Sequence, residues 1–501
     1  MPREKIAPLP HQKEGTEFLR TNERGALFDE QGLGKSKQLI DAIAAEVSDK
    51  KLSGAVIVCP NGLKTTWAEE VRKFSDLPVA VFGAGQKARR SSFTKLRAVF
   101  YVINYEAVAA ELQALKALLR FKPMALVLDE SHRIKTSGAK VTEAVLQLRS
   151  SAARRYIMSG TPVANKPDDL WTQFYFLDDG ASLGGSLDDF HARYKGPGGS
   201  YRSLDDLRSR VDAMSKRRLK DHAVDLPAKL IRRVIVPMGA EQRAMYDEMR
   251  NELALWVKSL DGAEVLKQAD AILARLVRLA QLASNPGLLD AGYDEQPAKF
   301  AALDCILSDT LTGDDTRKAI VWSSFVGNME ALRKRYPQFR PVTIHGALSG
   351  PERDESVRAF KNDPTVRLMI ANPAAAREGL TLTQANMAIY VDRTFNLVDF
   401  VQSQDRIHRI SQTRDCEILL LLAQDSVDEF VDFCLEQKLR LARYVQQDVA
   451  SVAPEDLALS KPEILRALLW PEDKMSAEAA VPAGEPNAKR KRVQQAKVRR
   501  S

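Results

Sequence analysis

At 501 residues the chain exceeds what one hydrophobic core supports, so it is expected to divide into two or three domains. A hydrophobic fraction of 45% with 28% charged residues is that of a globular chain, and no apolar run approaches the roughly 18 residues that span a bilayer. The net charge of +8 is concentrated in Lys489, Arg490, Lys491, Arg492, Lys497, Arg499 and Arg500, which leaves the rest nearly neutral, so overall charge does not by itself mark the folded part as a nucleic-acid binder.

Residues 1–12 mix charges and prolines without the apolar stretch of a secretory signal, which favours the cytoplasm. Cys59, Cys305, Cys416 and Cys434 lie far apart and form no C-x-x-C pair, a pattern of reduced thiols rather than of disulfides or a zinc site. Short, continuous apolar runs at 55–59, 125–128, 156–158, 319–322, 368–371 and 387–391 read as buried strands of parallel sheets, several separated by helical spacing. The class is therefore α/β. Polar or turn-forming groups follow the runs, at the carboxyl ends where open α/β sheets bind ligands. Between the two strand clusters, 166–300 reads mainly as helix, for example 241–260 and 263–284. After about 450 periodicity fades, and the segment through the basic end reads as disordered.

Taken in chain order, Asp29-Glu30-Gln31-Gly32-Leu33-Gly34-Lys35-Ser36 precedes helical spacing that begins near Lys37. Glycines let backbone N–H groups wrap phosphates, a lysine reaches the outer phosphates and a following hydroxyl can ligate magnesium. Asp29 stands where the strict phosphate-loop pattern has its first glycine. Leu126-Val127-Leu128 then delivers Asp129-Glu130 to a strand end, one carboxylate suited to magnesium and the other to orienting water. His132 has no second histidine at metal-binding spacing and is assigned only to coupling. Late in the chain, Arg406 and Arg409 are expected to share a helix face at i, i+3 spacing, where cations from outside the phosphate loop could stabilise charge on a transferring phosphoryl group.

Together these segments resemble the Swi/Snf-type ATPases of helicase superfamily two, over about residues 8–445. Pro10-His11-Gln12 is similar to the adenine-reading segment, 29–36 to motif one, Pro60 with 64–67 to motif Ia, 129–132 to motif two and Ser159-Gly160-Thr161-Pro162 to motif three. In the second half, 320–325 resembles motif four, 378–383 motif five and 404–412 motif six. Lys216-Arg217-Arg218-Leu219-Lys220 followed by Leu226-Pro227-Ala228-Lys229 is similar to the family's basic segment and Leu-Pro signature, as is 281–286 to another of its signatures. Residues 396–409 look closest to the annealing-helicase branch and its compact prokaryotic and phage relatives. Gln31 stands where the family often has Met, Ser411 where Gly is frequent, and Arg377-Glu378 fill positions that are often small.

The resemblance implies two RecA-like lobes, at 1–165 and 301–450, a helical insertion at 166–300 and a tail at 451–501. It also implies an ATP-dependent translocase on double-stranded DNA, using ATP and Mg2+. Gln12 would read adenine, and Gln31, Gly32, Leu33, Gly34 and Gly379 would contact the nucleotide. Lys35 would hold the β- and γ-phosphates, Ser36 and Asp129 would position magnesium, and Glu130 would polarise water. Arg406 and Arg409 would complete the site, while His132, Ser159, Thr161 and Gln404 would couple it to lobe movement. Lys64, Thr65, Arg217, Arg218 and Arg377 are candidates for DNA phosphate contacts, with the basic tail as a further electrostatic one. A strand-separating or annealing helicase, and a non-catalytic DNA-binding scaffold, remain the competing readings.

Overall fold

The computed structural model describes residues 5–83, 98–196, 200–260, 264, 267–376 and 380–449. Arg377, Gly379 and the tail from 450 onward lie outside the described residues. The first sheet is built from β1 (Arg24–Leu27), β2 (Gly54–Cys59), β3 (Val79–Val81), β4 (Phe100–Asn104), β5 (Met124–Asp129), β6 (Arg154–Met158) and β7 (Ser215–Lys216), in the order β3-β4-β2-β5-β6-β1-β7. The second is built from β8 (Lys229–Val236), β9 (Ala319–Trp322), β10 (Val342–Ile344), β11 (Leu368–Ala371), β12 (Met387–Tyr390) and β13 (Cys416–Ala423), in the order β10-β11-β9-β12-β13-β8. The named strand pairs are parallel, from β1–β6 in the first sheet to β13–β8 in the second.

The continuous apolar runs follow from burial on both sheet faces. Val56, Val58, Leu126 and Leu128 enter one cluster, while Ala55, Ile57, Ala125 and Val127 point into another. Ala319, Val321, Leu368 and Ile370 divide from Ile320, Trp322, Met369 and Ala371 in the same way across the second sheet. Every run read as a strand is one. The eight-residue strand β13 was equally legible as a continuous apolar run and was missed. No helix among the described residues is long and apolar enough to cross a membrane.

The stretch 166–300 is mainly helical, with long helices Ala240–Lys258 and Ala269–Ser284, but it also carries β7 and β8, which join opposite sheets. The chain thus crosses from the first sheet to the second between Lys216 and Lys229. Strand β8 went unread because it is an edge strand, exposed along most of its length, and lacks a buried pattern. Tyr246, Leu253, Leu276 and Leu279 of the long helices share one core with Phe174 of the first lobe and with Val431 and Leu435 of helix Val427–Val445. Apolar packing therefore holds the two sheets against each other. Phe174 is fully buried, 6.3 Å from the Phe28 ring. Phe174→Ala should cost about 3–5 kcal/mol, read as a lowered midpoint in urea unfolding.

Candidate active site

Strand β1 ends at Leu27 and the chain turns through 28–34 into helix Lys35–Ser48. Gly32 and Gly34 have φ of +91° and +78°, the left-handed region open to glycine, and a Cβ on Gly34 would lie 2.3 Å from Gln12 Nε2. Gln12 donates from that nitrogen to Leu33 O (3.3 Å), so the adenine-reading candidate sits directly against the loop. Asp29, fully buried, accepts from Arg218 Nε (3.0 Å) and Gln38 Nε2 (3.0 Å). That pairing is why a carboxylate is accommodated at the first glycine position. Lys35 Nζ donates to Asp29 O (2.7 Å), and burial lowers its ammonium below the ordinary lysine value against the pull of Glu130, Asp29 and Asp129.

Strand β5 ends on Asp129, whose carboxylate accepts from Trp67 Nε1 (2.8 Å) and from the Glu130 backbone N–H (3.0 Å). Glu130 itself has φ 52°, a left-handed conformation that costs energy in a non-glycine residue and turns its carboxylate back into the cleft. Burial, followed by the charge of Asp129, pushes the Glu130 carboxyl up to about 7. Burial likewise raises Asp129. Glu130 Oε1 accepts from Gln31 Nε2 (3.1 Å) and Gln402 Nε2 (3.3 Å), whereas its buried Oε2 has no hydrogen-bond donor and lies 3.4 Å from His132 Nδ1. His132 Nδ1 also meets Ser159 Oγ (3.2 Å), which accepts from the Thr161 N–H (3.1 Å), so three coupling candidates form one chain from motif two to motif three.

From the second lobe, helix Leu397–Gln404 ends one residue before Asp405, and Arg406 and Arg409 lie on the turns that follow. The expected shared helix face is corrected on this point. Bonds from Arg406 N to Ser403 O and from Ile407 N to Gln404 O tighten the chain out of the helix. Arg406, 1% exposed, donates to Gln31 Oε1 (3.4 Å) and Leu380 O (3.1 Å), and Arg409 donates to Thr381 Oγ1 (2.9 Å). Burial and the neighbouring Arg409 draw Arg406 down to about 9, which leaves it cationic at neutral pH. Lys35, Ser36, Asp129, Glu130, Arg406 and Arg409 all line a single cleft of about 500 Å³ between the lobes.

A family model for the SNF2-related domain matches residues 11–288, and one for the helicase conserved C-terminal domain matches residues 298–411. The chain belongs to the SNF2-related family. It is similar to YwqA of Bacillus subtilis, which bears the name of an ATP-dependent helicase/translocase, at 28% identity over 473 residues, covering 88% of this chain and 50% of that protein. Chromodomain-helicase-DNA-binding protein 1-like of Danio rerio is 26% identical over 490 residues, covering 91% of this chain and 46% of that one. The uncharacterized ATP-dependent helicase MG018 of Mycoplasma genitalium is 25% identical over 447 residues, covering 86% and 42% respectively. This chain spans about half the length of the curated relatives it matches. Among solved structures, the Sulfolobus solfataricus SWI2/SNF2 ATPase core in complex with dsDNA is 27% identical, covers 95% of this chain and 98% of that one, and has a TM-score of 0.43.

In this SNF2-related chain both arginines of the basic segment have partners within the protein. Arg217 pairs with both carboxylate oxygens of Asp448 (2.6 Å each) and donates to Phe28 O (2.6 Å), while Arg218 is taken by Asp29 and by His11 O. Both DNA candidates thus serve as internal ties in this structure, their guanidinium groups donating to carboxylate and carbonyl oxygens around the first lobe's strand ends. Lys64 is half-buried and reaches Phe82 O (3.2 Å) and Asn104 Oδ1 (3.4 Å), and Thr65 is exposed. Arg377 and Gly379 fall outside the described residues. Gln404 is buried at the end of its helix, and Gln402 reaches Glu130. Sequence reasoning placed Trp67 and Lys220 in motifs without giving them a role in the site, and missed Glu70. Glu70 lines the cleft, accepts a hydrogen bond from the Ser36 hydroxyl and is raised by burial. An acid three residues after Trp67 on an amphipathic helix was its signal.

Proposed function

We propose that this chain hydrolyses ATP and uses the cycle to move along double-stranded DNA. The observation that carries the reading is the convergence on one cleft of Lys35, Asp129 and Glu130 from the first lobe with Arg406 and Arg409 from the second. The residues fit a divalent cation: Ser36 and Asp129 offer hard oxygen donors on the lining of one cleft. Magnesium, when held by Ser36 and Asp129, supplies neutralisation of phosphate charge.

Lys35 and the loop N–H groups hold the phosphates, and Gln12, resting on Leu33, borders the base. Glu130, pinned by two amides through Oε1, uses Oε2 to orient the attacking water and take its proton. Arg406 and Arg409 reach the charge that develops on the transferring phosphoryl group only while the second lobe is docked, so hydrolysis and lobe position depend on each other. His132, Ser159 and Thr161 carry that dependence along the rim of the first sheet. The lobes themselves are read as the units that step along DNA, and Thr65 is retained as an exposed DNA candidate.

Steady-state ATP hydrolysis with duplex DNA, single-stranded DNA or RNA tests this, with Lys35→Ala as control. Duplex stimulation followed by displacement of a third strand from a triplex is the expected result. Stimulation by single strands alone would replace duplex tracking with strand separation, and turnover insensitive to Lys35→Ala would remove the site assignment.

A further inference from the structure

Lys220 lies in the crossing between β7 and β8, and its hydrogen bonds connect the phosphate loop with the arginine segment. Its backbone N–H donates to Glu30 Oε2 (2.8 Å), inside the phosphate loop of the first lobe. Its ammonium, 3% exposed, donates to Asp405 Oδ1 (2.5 Å) and His408 O (3.2 Å) in the second lobe. Asp405 immediately precedes Arg406, and its own carbonyl accepts from Arg409 Nε (2.8 Å). The Lys220 and Arg409 stems also face the same loop glycine, with a Cβ on Gly32 falling 3.7 Å from Lys220 Cε and 3.8 Å from Arg409 Cγ. Burial would raise the Asp405 carboxyl, but Lys220 and Lys229 overturn that and hold it below the ordinary aspartate value.

An ion pair removed from water on both sides contributes little net stability, since desolvation offsets its attraction and an apolar pair of similar volume serves as well. What it does specify is one arrangement of the two segments that carry it. We propose that Lys220 is a positioning residue, whose buried ion pair with Asp405 latches the arginine segment onto the phosphate loop and so sets where Arg406 and Arg409 enter the cleft. The proposal rests on the ATPase reading above and adds to it the residue that makes lobe docking specific.

The test compares Lys220→Met, Asp405→Asn and the double variant in the full chain. Each is measured for kcat and KM in ATP hydrolysis, for affinity toward a fluorescent ADP analogue and for melting temperature. Each single variant should lose about 100-fold in kcat, as a displacement of about 1 Å at catalytic groups does, while ADP-analogue affinity stays at the wild-type value. The double variant, which leaves no buried charge unpaired, should regain the wild-type melting temperature but not kcat. Recovery of both would overturn the proposal and make the pair merely part of the core, as would wild-type kcat in Lys220→Met. If Lys220→Met fails to fold, the double variant carries the same comparison.

Lobe spacing gives a readout independent of turnover. Cys305 is exposed, whereas Cys59, Cys416 and Cys434 are buried, so dyes on Cys305 and on an exposed Lys51→Cys report between the lobes. Energy transfer should fall in all three latch variants, and unchanged transfer would overturn the latch. Should wild type show no Lys35-dependent hydrolysis, the ATPase reading fails by that fact alone, and the transfer measurement still decides the latch.

Discussion

Glu130→Gln should bind ATP with near-wild-type affinity and lose about 10³-fold or more in turnover, because the amide keeps the size of the side chain and cannot accept the water's proton. Lys35 and the loop remain to hold the phosphates, so a fluorescent nucleotide separates binding from chemistry. Normal turnover in the variant would remove the proton-accepting role. The same side chain predicts a pH dependence. With the carboxyl raised to about 7, kcat/KM should fall on the acid side as Glu130 protonates near that value.

Stability should move in the opposite direction. A carboxyl raised from 4.5 to about 7 on folding contributes stability that is fully present below pH 4.5 and lost as pH rises through about 7, where the folded chain must hold the charge. Glu130→Gln never carries that charge. It should therefore be more stable than wild type at pH 8, by on the order of 3 kcal/mol, and nearly equal to it at pH 4.5. Melting curves at the two pH values read the difference, and a variant less stable at pH 8 would contradict the electrostatic account of the site.

Arg406→Lys is the second large effect. Lysine keeps the charge but offers a single ammonium in place of a planar guanidinium, and at Arg406 that geometry reaches Gln31 and Leu380 at once. Cationic groups supplied from outside the phosphate loop are typically worth about 10³ to 10⁵ in rate, so kcat should drop by roughly 10³ while nucleotide affinity changes little. A drop in affinity with kcat preserved would place Arg406 in ground-state binding rather than in the transition state.

The strands and the phosphate loop were legible because their determinants are local. Parallel strands buried on both faces must be continuously apolar, as 55–59 and 368–371 are, and a loop wrapping phosphates needs glycines where φ is positive, as at Gly32 and Gly34. The pairing of Asp129 with Glu130 at a strand end was legible for the same reason. What each cation does was not. Arg217, Arg218 and Lys220 look alike in sequence, a run of positive charge next to a Leu-Pro turn, yet they end on Asp448, Asp29 and Asp405. All three of those partners are more than 180 residues away, as are the Gln402 and Arg406 contacts of the first lobe.

Spacing along a chain fixes which residues share a strand or a turn, and so the amino-acid sequence determined the α/β class, the loop and the acidic pair. Which charges meet depends on how two sheets dock through the core formed by Phe174, Tyr246, Leu279 and Val431, and only the tertiary structure decides that. It paired Arg217 and Arg218 with Asp448 and Asp29, brought Gln31 and Gln402 onto one oxygen of Glu130, and placed Lys220 between the lobes. The physical reason is that a charge buried away from water must find its partner wherever the fold brings one, however distant in the chain.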